Sequence, residues 1–259
     1  MIEIVNLHKS FGEKAVLKGI DANFQQGKIN MIIGRSGSGK TVFLKCMLGL
    51  HKPEKGQILF DGMDITQLDY GKMKEVHQSM GMVFQGGALF DSLNIEENVM
   101  FPLRMFSNIS HSERLDRVNF CLQRVNLNDV NHHLPSEVSG GMQKRVAIAR
   151  AIVMSPKYLF LDEPNSGLDP NTAIVIDNLV QEITREFNIT TIINTHDMNS
   201  VMEIGENIYL ISEGKTAWNG NREEILKTKN EAVDEFVFSS RLFRNIRQNT
   251  SASWPKINA

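Results

Sequence analysis

With 259 residues the chain can form one large domain or two small ones and bury a sizeable core. A hydrophobic content of 41% and a charged content of 22% are those of a globular protein, and a net charge of −2 argues against a nucleic-acid binder held by many phosphate contacts. No apolar run approaches the roughly 18 residues of a membrane-crossing helix. The start, "MIEIVNLHKSF", also lacks the basic and apolar blocks of a signal peptide, so a cytoplasmic protein is expected.

Residues 2–7, "IEIVNL", alternate enough for an edge strand. "GKINMIIG" is a short apolar strand that ends at Gly34. Directly after it, "GRSGSGKT" fits G-x-x-x-x-G-K-[ST], the P-loop. Glycines let the backbone turn its N–H groups around phosphates, Lys40 reaches the β- and γ-phosphates, and Thr41 coordinates Mg²⁺. Gly34, Arg35, Ser36, Gly37, Ser38, Gly39, Lys40 and Thr41 are therefore expected around ATP. The next residues, Val42, Phe43, Leu44, Cys46, Met47 and Leu48, are apolar on several sides and predict a buried helix. It should stop near Gly49, with Pro53 just beyond. Cys46 and Cys121 have no metal-type spacing and read as packed, reduced thiols. His132 and His133 lack ligand partners and read as a surface loop.

"GQILFDGMDI" is a short strand between turns, and Gln85 in "MVFQGG" ends another. Its side chain can reach Mg²⁺ or an attacking water, although a lone glutamine carries little weight. From about 86 to 154 the pattern is mostly helical, with Leu115, Val118, Leu122 and Val125 at helical spacing. Within it, "VSGGMQKRVAIARA" places a serine and two glycines before a helical run. Such an exposed helix start holds anions, since free N–H groups and the helix dipole favour negative charge. The chain thus carries two anion cradles.

"YLFLDE" is a buried strand with Asp162 at its carboxyl end, where α/β sheets place ligands. Asp162 can hold Mg²⁺ through water, and Glu163 is the candidate that orients and polarises the attacking water. Alone, the pair is equally well an ordinary strand end; behind a P-loop the catalytic reading prevails. A helix, "AIVIDNLVQEITREF", and a second buried strand, "ITTIINTHD", follow. His196 in the latter can contact the γ-phosphate, its ring fixed by Asp197 or a backbone carbonyl. "IYLISEGKTAW" resembles a closing hairpin. Runs apolar on both faces that alternate with helices predict a parallel sheet between helical layers. In "DEFVFSSRLFRNIR", Phe236, Val237, Phe238, Leu242, Phe243 and Ile246 mix with arginines. The segment either anchors on a second protomer or a partner, or packs on its own domain. The tail from Asn249 is expected to be disordered.

"GRSGSGKT", Gln85, "VSGGMQKR", "YLFLDEP", "SGLD" and "NTH" stand in the order found in ATP-binding-cassette (ABC) ATPases, and residues 1 to 225 resemble that family. The resemblance implies an α/β P-loop NTPase with a RecA-like parallel-sheet core, an antiparallel β region and an inserted helical subdomain at about 86–154. The ATPase domain would span 1–231 and a C-terminal extension 232–259. It also implies a homodimer in which two cassettes pack head to tail, so that Ser139, Gly140 and Gly141 of one cap the ATP in the P-loop of the other. That accounts for the two cradles: each chain holds half of each site, and C₂ symmetry completes two. Carried over residue by residue, Phe11 matches the aromatic that stacks on adenine, usually tyrosine. Asp169 matches the loop that links the two sites. Met142 departs from the usual glutamine or glutamate, which leaves the donors of the preceding residues unchanged.

"FQGGALFDSL" with "SGGM" is most similar to the ATPases of MCE-type, Mla-like lipid transport systems of Gram-negative envelopes. Such an ATPase sits at the cytoplasmic face of the inner membrane and works with an integral membrane permease, an MCE-domain lipid-binding protein and, in some systems, a STAS-domain subunit. Small polar solute import and a cell-division-type signalling ATPase share the ATP motifs. Nucleic-acid-directed members carry coiled-coil insertions or two cassettes, and this sequence has neither.

Overall fold

The computed structural model describes residues 1–239, 243–245 and 247. Strands β1 (Ile2–Phe11), β2 (Lys14–Phe24), β3 (Ile29–Ile33), β4 (Lys55–Phe60), β5 (Met63–Asp64), β6 (Met80–Val83), β7 (Tyr158–Asp162), β8 (Thr190–Asn194), β9 (Asn207–Ser212) and β10 (Lys215–Gly220) form two sheets. One is antiparallel, in the order β2-β1-β4-β5. The other runs β10-β9-β3-β8-β7-β6, parallel from β9 to β6, with β10 added as an antiparallel hairpin.

The antiparallel sheet corrects one expectation. β1 is an interior strand, paired with β2 on one side and β4 on the other, and it extends past residue 7 to Phe11. Ile2, Ile4 and Leu7 carry the alternation that the sequence displays. The polar residues after Leu7 stay in the ladder because β2 folds straight back on them. β2, which the sequence reading does not assign, buries Leu17, Ile20, Ala22 and Phe24 and forms the edge.

The helices are α1 (Lys40–Met47), α2 (Tyr70–Gln78), α3 (Ile95–Phe106), α4 (His111–Arg124), α5 (Gly140–Ile152), α6 (Pro170–Glu186), α7 (Met198–Ile204), α8 (Arg222–Lys227) and α9 (Glu231–Phe236). α1 ends at Met47, and Gly49 follows with φ 69°, as the composition of the stretch predicts. Helices α3, α4 and α5 fall in the 86–154 stretch. Reciprocal capping boxes open α3 (Asn94 with Glu97) and α4 (Ser110 with Glu113).

The buried strands look uniformly apolar in sequence, yet their pleat sorts them into two cores. Met31, Leu159, Leu161, Ile193 and Leu210 face a core shared with α3 to α6. Ile32, Tyr158, Phe160, Ile192 and Ile211 face the antiparallel sheet and α1. Cys46 and Cys121 are buried, one in each core, and burial pushes the thiols up to about 12 and about 11. The C-terminal segment packs on its own domain: Val233, Val237, Phe238 and Phe243 are buried in the helical-side core. Arg241, Leu242, Ile246 and the tail from Asn249 lie outside the described residues.

Candidate nucleotide site

Parallel pairing sets the carboxyl ends of β3, β6, β7 and β8 along one edge of the sheet. The loops leaving them carry residues 34–41, Gln85, Asp162 with Glu163, and His196, and all of these line one cavity of about 1200 Å³. Lys14, Val16, Glu213, Gly214 and Phe236 are also part of its walls.

After β3 the backbone reverses through Gly34 at φ 146° and enters α1 through Gly39 at φ 109°. A Cβ on Gly34 would lie 2.2 Å from the Ile211 carbonyl oxygen, so no other residue fits there. Among helices α1 to α9, α1 alone has no side chain capping its N-terminus. Its leading N–H groups therefore face the cavity without a built-in acceptor. The Ser38 hydroxyl is likewise buried without a partner. Lys40 is 7% exposed, and its ammonium donates to the carbonyls of Gly34 (2.8 Å) and Arg35 (3.2 Å). Burial pulls its pKa below the ordinary lysine value, while Glu163 and Asp162 act in the opposite direction. Unspent donors around a buried ammonium suit a polyphosphate.

Burial pushes the Asp162 carboxyl above its usual range, and Glu163 adds to this; an amide hydrogen bond from Asn194 opposes it. Asn194 Oδ1 is also buried and unpartnered. Thr41, Gln85 and Asp162 line the same cavity and offer a hydroxyl, a carboxamide and a carboxylate. That hard, all-oxygen set fits Mg²⁺, and a cation would compensate the desolvated Asp162.

Glu163 has left-handed backbone geometry at φ 49°, a strained setting that clusters at functional sites. Its N–H donates to the Asn194 carbonyl at 2.8 Å. One carboxylate oxygen meets His196 Nδ1 at 2.8 Å, and the other accepts from the Thr195 hydroxyl at 3.4 Å. The Gln85 side chain reaches Ser166 Oγ only at 3.4 Å. The Gln85 backbone is better held: its carbonyl accepts from the buried Lys144 of α5, and Arg150 donates to Gly87 (2.7 Å) and Ala88 (2.8 Å). Helix α5 thus carries the glutamine loop on its flank.

The other expected residues do not line this cavity. Ser139 caps α5, its hydroxyl accepting from Met142 N–H at 3.3 Å. Asp169 caps α6 by accepting from the Asn171 and Thr172 N–H groups, each at 3.1 Å. The two helix starts touch: a Cβ on Gly141 would come within 2.7 Å of the Thr172 methyl, whereas Gly140 faces open space. Phe11 also lies outside the lining, its ring edge-on to His51 at 5.2 Å. Lys144, Arg150, Asn194 and Thr195 are supporting residues that motif spacing does not single out. The basic residues after "SGGM" and the polar start of "NTHD" are the only signals for them.

A strand ending in a glycine cradle, an uncapped helix with a buried lysine and carboxylates on adjacent strand ends define a P-loop nucleoside triphosphatase. The model of the ABC transporter family matches residues 17–166, and the chain belongs to that family. It is an ATP-binding subunit that hydrolyses ATP and uses Mg²⁺. It is 37% identical to the intermembrane phospholipid transport system ATP-binding protein MlaF of Haemophilus influenzae, over 92% of this chain and 90% of the relative. To the methionine import ATP-binding protein MetN of Campylobacter jejuni it is 35% identical, over 99% of this chain and 81% of the relative. To the probable ribonucleotide transport ATP-binding protein mkl of Mycobacterium leprae the identity is 36%, over 93% and 70%. Among solved structures, the dimeric bacterial ABC transporter cassette MJ0796 aligns with TM-score 0.78 and 32% identity, covering 86% of this chain and 99% of that one. The cbiO1 subunit of the Clostridium perfringens cbiONQ transporter complex aligns with TM-score 0.83 and 31% identity, covering 96% and 98%. Cassettes of this family dimerise and pair with membrane permease subunits.

Proposed function

We propose that this subunit energises phospholipid or other lipid transport across a bacterial envelope, as the peripheral ATPase on the cytoplasmic face of an inner-membrane MCE-type complex. Its partners are a second copy of itself, the integral permease, an MCE-domain lipid-binding protein and, in one form of the complex, a STAS-domain subunit. The observation that carries this reading is the match to MlaF, which spans nearly the full length of both chains. Among the described residues no helix is long and apolar enough to cross a membrane, in keeping with a subunit that acts through a permease. The match to MetN over 99% of this chain favours a second reading, import of a small polar solute. Purifying the intact complex and identifying its bound molecule by mass spectrometry separates them: a copurified phospholipid supports the first, a polar solute the second.

Within the site, residues 34–41 hold the phosphates and Thr41, Gln85 and Asp162 hold Mg²⁺, which screens the phosphate charge. Glu163 accepts the proton of the attacking water and His196 keeps that carboxylate aimed; their 2.8 Å contact supports this division. Ser139, Gly140, Gly141 and Asp169 lie outside their own cavity and serve the ATP of the other protomer. Phe11 approaches adenine from outside the phosphate cavity. Closure on ATP and reopening after hydrolysis then follow from differential affinity, because only the triphosphate meets the partner's donors. The ATPase unit is assigned to 1–231, with the helical subdomain at 86–154 and an extension from 232.

A further inference from the structure

Behind the cavity lies a polar cluster that no ATP motif explains. The loop between β7 and α6 carries Glu163 at its start and Asp169 at its end. Asn165, midway along it, turns its side chain away from the cavity. Both amide hydrogens are used: Nδ2 donates to Asp177 Oδ1 at 2.8 Å on α6 and to Ser200 Oγ at 2.9 Å on α7. Asp177 and Ser200 are 4% and 3% exposed. The Ser200 hydroxyl lies 3.3 Å from Asp197 Oδ2, the residue that caps α7 and follows His196. The Asp197 N–H in turn donates to Thr195 Oγ1 at 3.0 Å, and Thr195 reaches back to Glu163.

These contacts close a ring. At the front, Glu163 meets His196; at the rear, Asn165 ties the same two loops together through α7 and anchors them on α6. Such an arrangement is costly to keep. Burial pushes the Asp177 carboxyl up, only partly opposed by the hydrogen bonds from Ser200 and Asn165, and Asn165 Oδ1 is buried without a donor. Apolar side chains would join two helices and a loop without those costs. What they would lack is a fixed direction, since two hydrogen bonds from one planar amide set both the depth and the rotation of the loop that bears Glu163.

We propose that Asn165 is a positioning residue for the Glu163–His196 pair, with Asp177 and Ser200 as its anchors. It rests on the role given to Glu163 above. Asn165→Asp sets a carboxylate against Asp177 and removes both donors, so kcat for ATP hydrolysis should fall at least tenfold. The KM for ATP, set by the P-loop, should stay within twofold. Adding Asp177→Asn restores one donor and removes the repulsion, and the double variant should recover most of the lost kcat. A residue with only a stabilising role would instead lower the melting temperature and leave kcat below that temperature unchanged. An undiminished kcat in Asn165→Asp, no recovery in the double variant, or equal losses in kcat and ATP affinity would each overturn the proposal. Glu163→Gln run in parallel separates the two levels: normal turnover there removes the site reading itself. A dead Glu163→Gln beside an unaffected Asn165→Asp removes only the positioning role.

Discussion

Two helix starts in this molecule look alike in sequence and differ in equipment. The start of α1 is uncapped and faces a cavity that also holds Lys40, Asp162 and Glu163. The start of α5 spends its serine on its own Met142 N–H, lies outside the lining of that cavity, and presents Gly140 to open space. A free N-terminus with a buried ammonium binds an anion by itself. On the proposed reading, the self-capped start with a bare glycine offers its remaining N–H groups to the ATP of the other protomer. The proposed function gives each start a separate job, and each can be attacked separately.

The largest effect belongs to the α1 side. Glu163→Gln keeps the shape of the cavity and removes the proposed base, so turnover should fall by about 10²–10⁴-fold. ATP binding should persist, measured by equilibrium binding, and a closed dimer should accumulate in size-exclusion chromatography with ATP. Normal turnover would mean that another group handles the water.

Next in size is the test of sharing. Lys40→Ala damages one start and Ser139→Ala the other, and each homodimer then carries two damaged sites. A mixed dimer places both lesions in one site and leaves its second site whole. Mixing should restore ATPase activity that neither parent shows. Mixed dimers isolated through two different tags, yet inactive, would show that the α5 start does not serve the partner's ATP.

How much of this was legible in the sequence follows the same division. Residues that act through local backbone are readable: the P-loop glycines, the strand-end carboxylates, and the helix start at Ser139, Gly140 and Gly141 all follow from composition and spacing. Residues that act across the fold are not. Lys144 reaches the Gln85 carbonyl because α5 packs against β6, and Asn194 reaches Asp162 because β7 and β8 lie side by side. No single stretch records that adjacency. The alternation of β1 suggests an edge for a related reason: its partners β2 and β4 are set by hairpin folding and by a return of the chain, not by its own pattern. In sequence Phe236 belongs to the segment "DEFVFSSRLFRNIR", and it lines the cavity only because α9 packs back against β9 and β10.

The glycines of α5 divide the stability question from the binding question. Gly141→Ala drives a methyl to 2.7 Å from the Thr172 side chain and should destabilise the chain by about 1–3 kcal/mol, lowering its melting temperature. Gly140→Ala meets nothing within its own chain and improves helix propensity, so stability should hold or rise by about 1 kcal/mol. Turnover in Gly140→Ala should nonetheless drop about tenfold, because the methyl occupies the approach of the partner's nucleotide. Full activity with raised stability would leave the α5 start without a function in hydrolysis.

The smallest effect tests whether the α1 side is complete without the C-terminal segment. Arg35, inside the P-loop, donates to the Glu235 carbonyl at 3.0 Å and pairs with its carboxylate at 3.6 Å. Both side chains are mostly exposed, 65% and 71%, so the ion pair itself should contribute no more than about 1 kcal/mol. Glu235→Ala removes the carboxylate and keeps the carbonyl, and melting temperature and ATP affinity should barely move. Phe236→Ala strips part of the cavity wall beside it and should change ATP affinity more than Glu235→Ala does. If instead Glu235→Ala weakens ATP binding tenfold or more, the extension is a working part of the nucleotide cradle. The α1 start then depends on residues 200 positions away, and its apparent self-sufficiency fails.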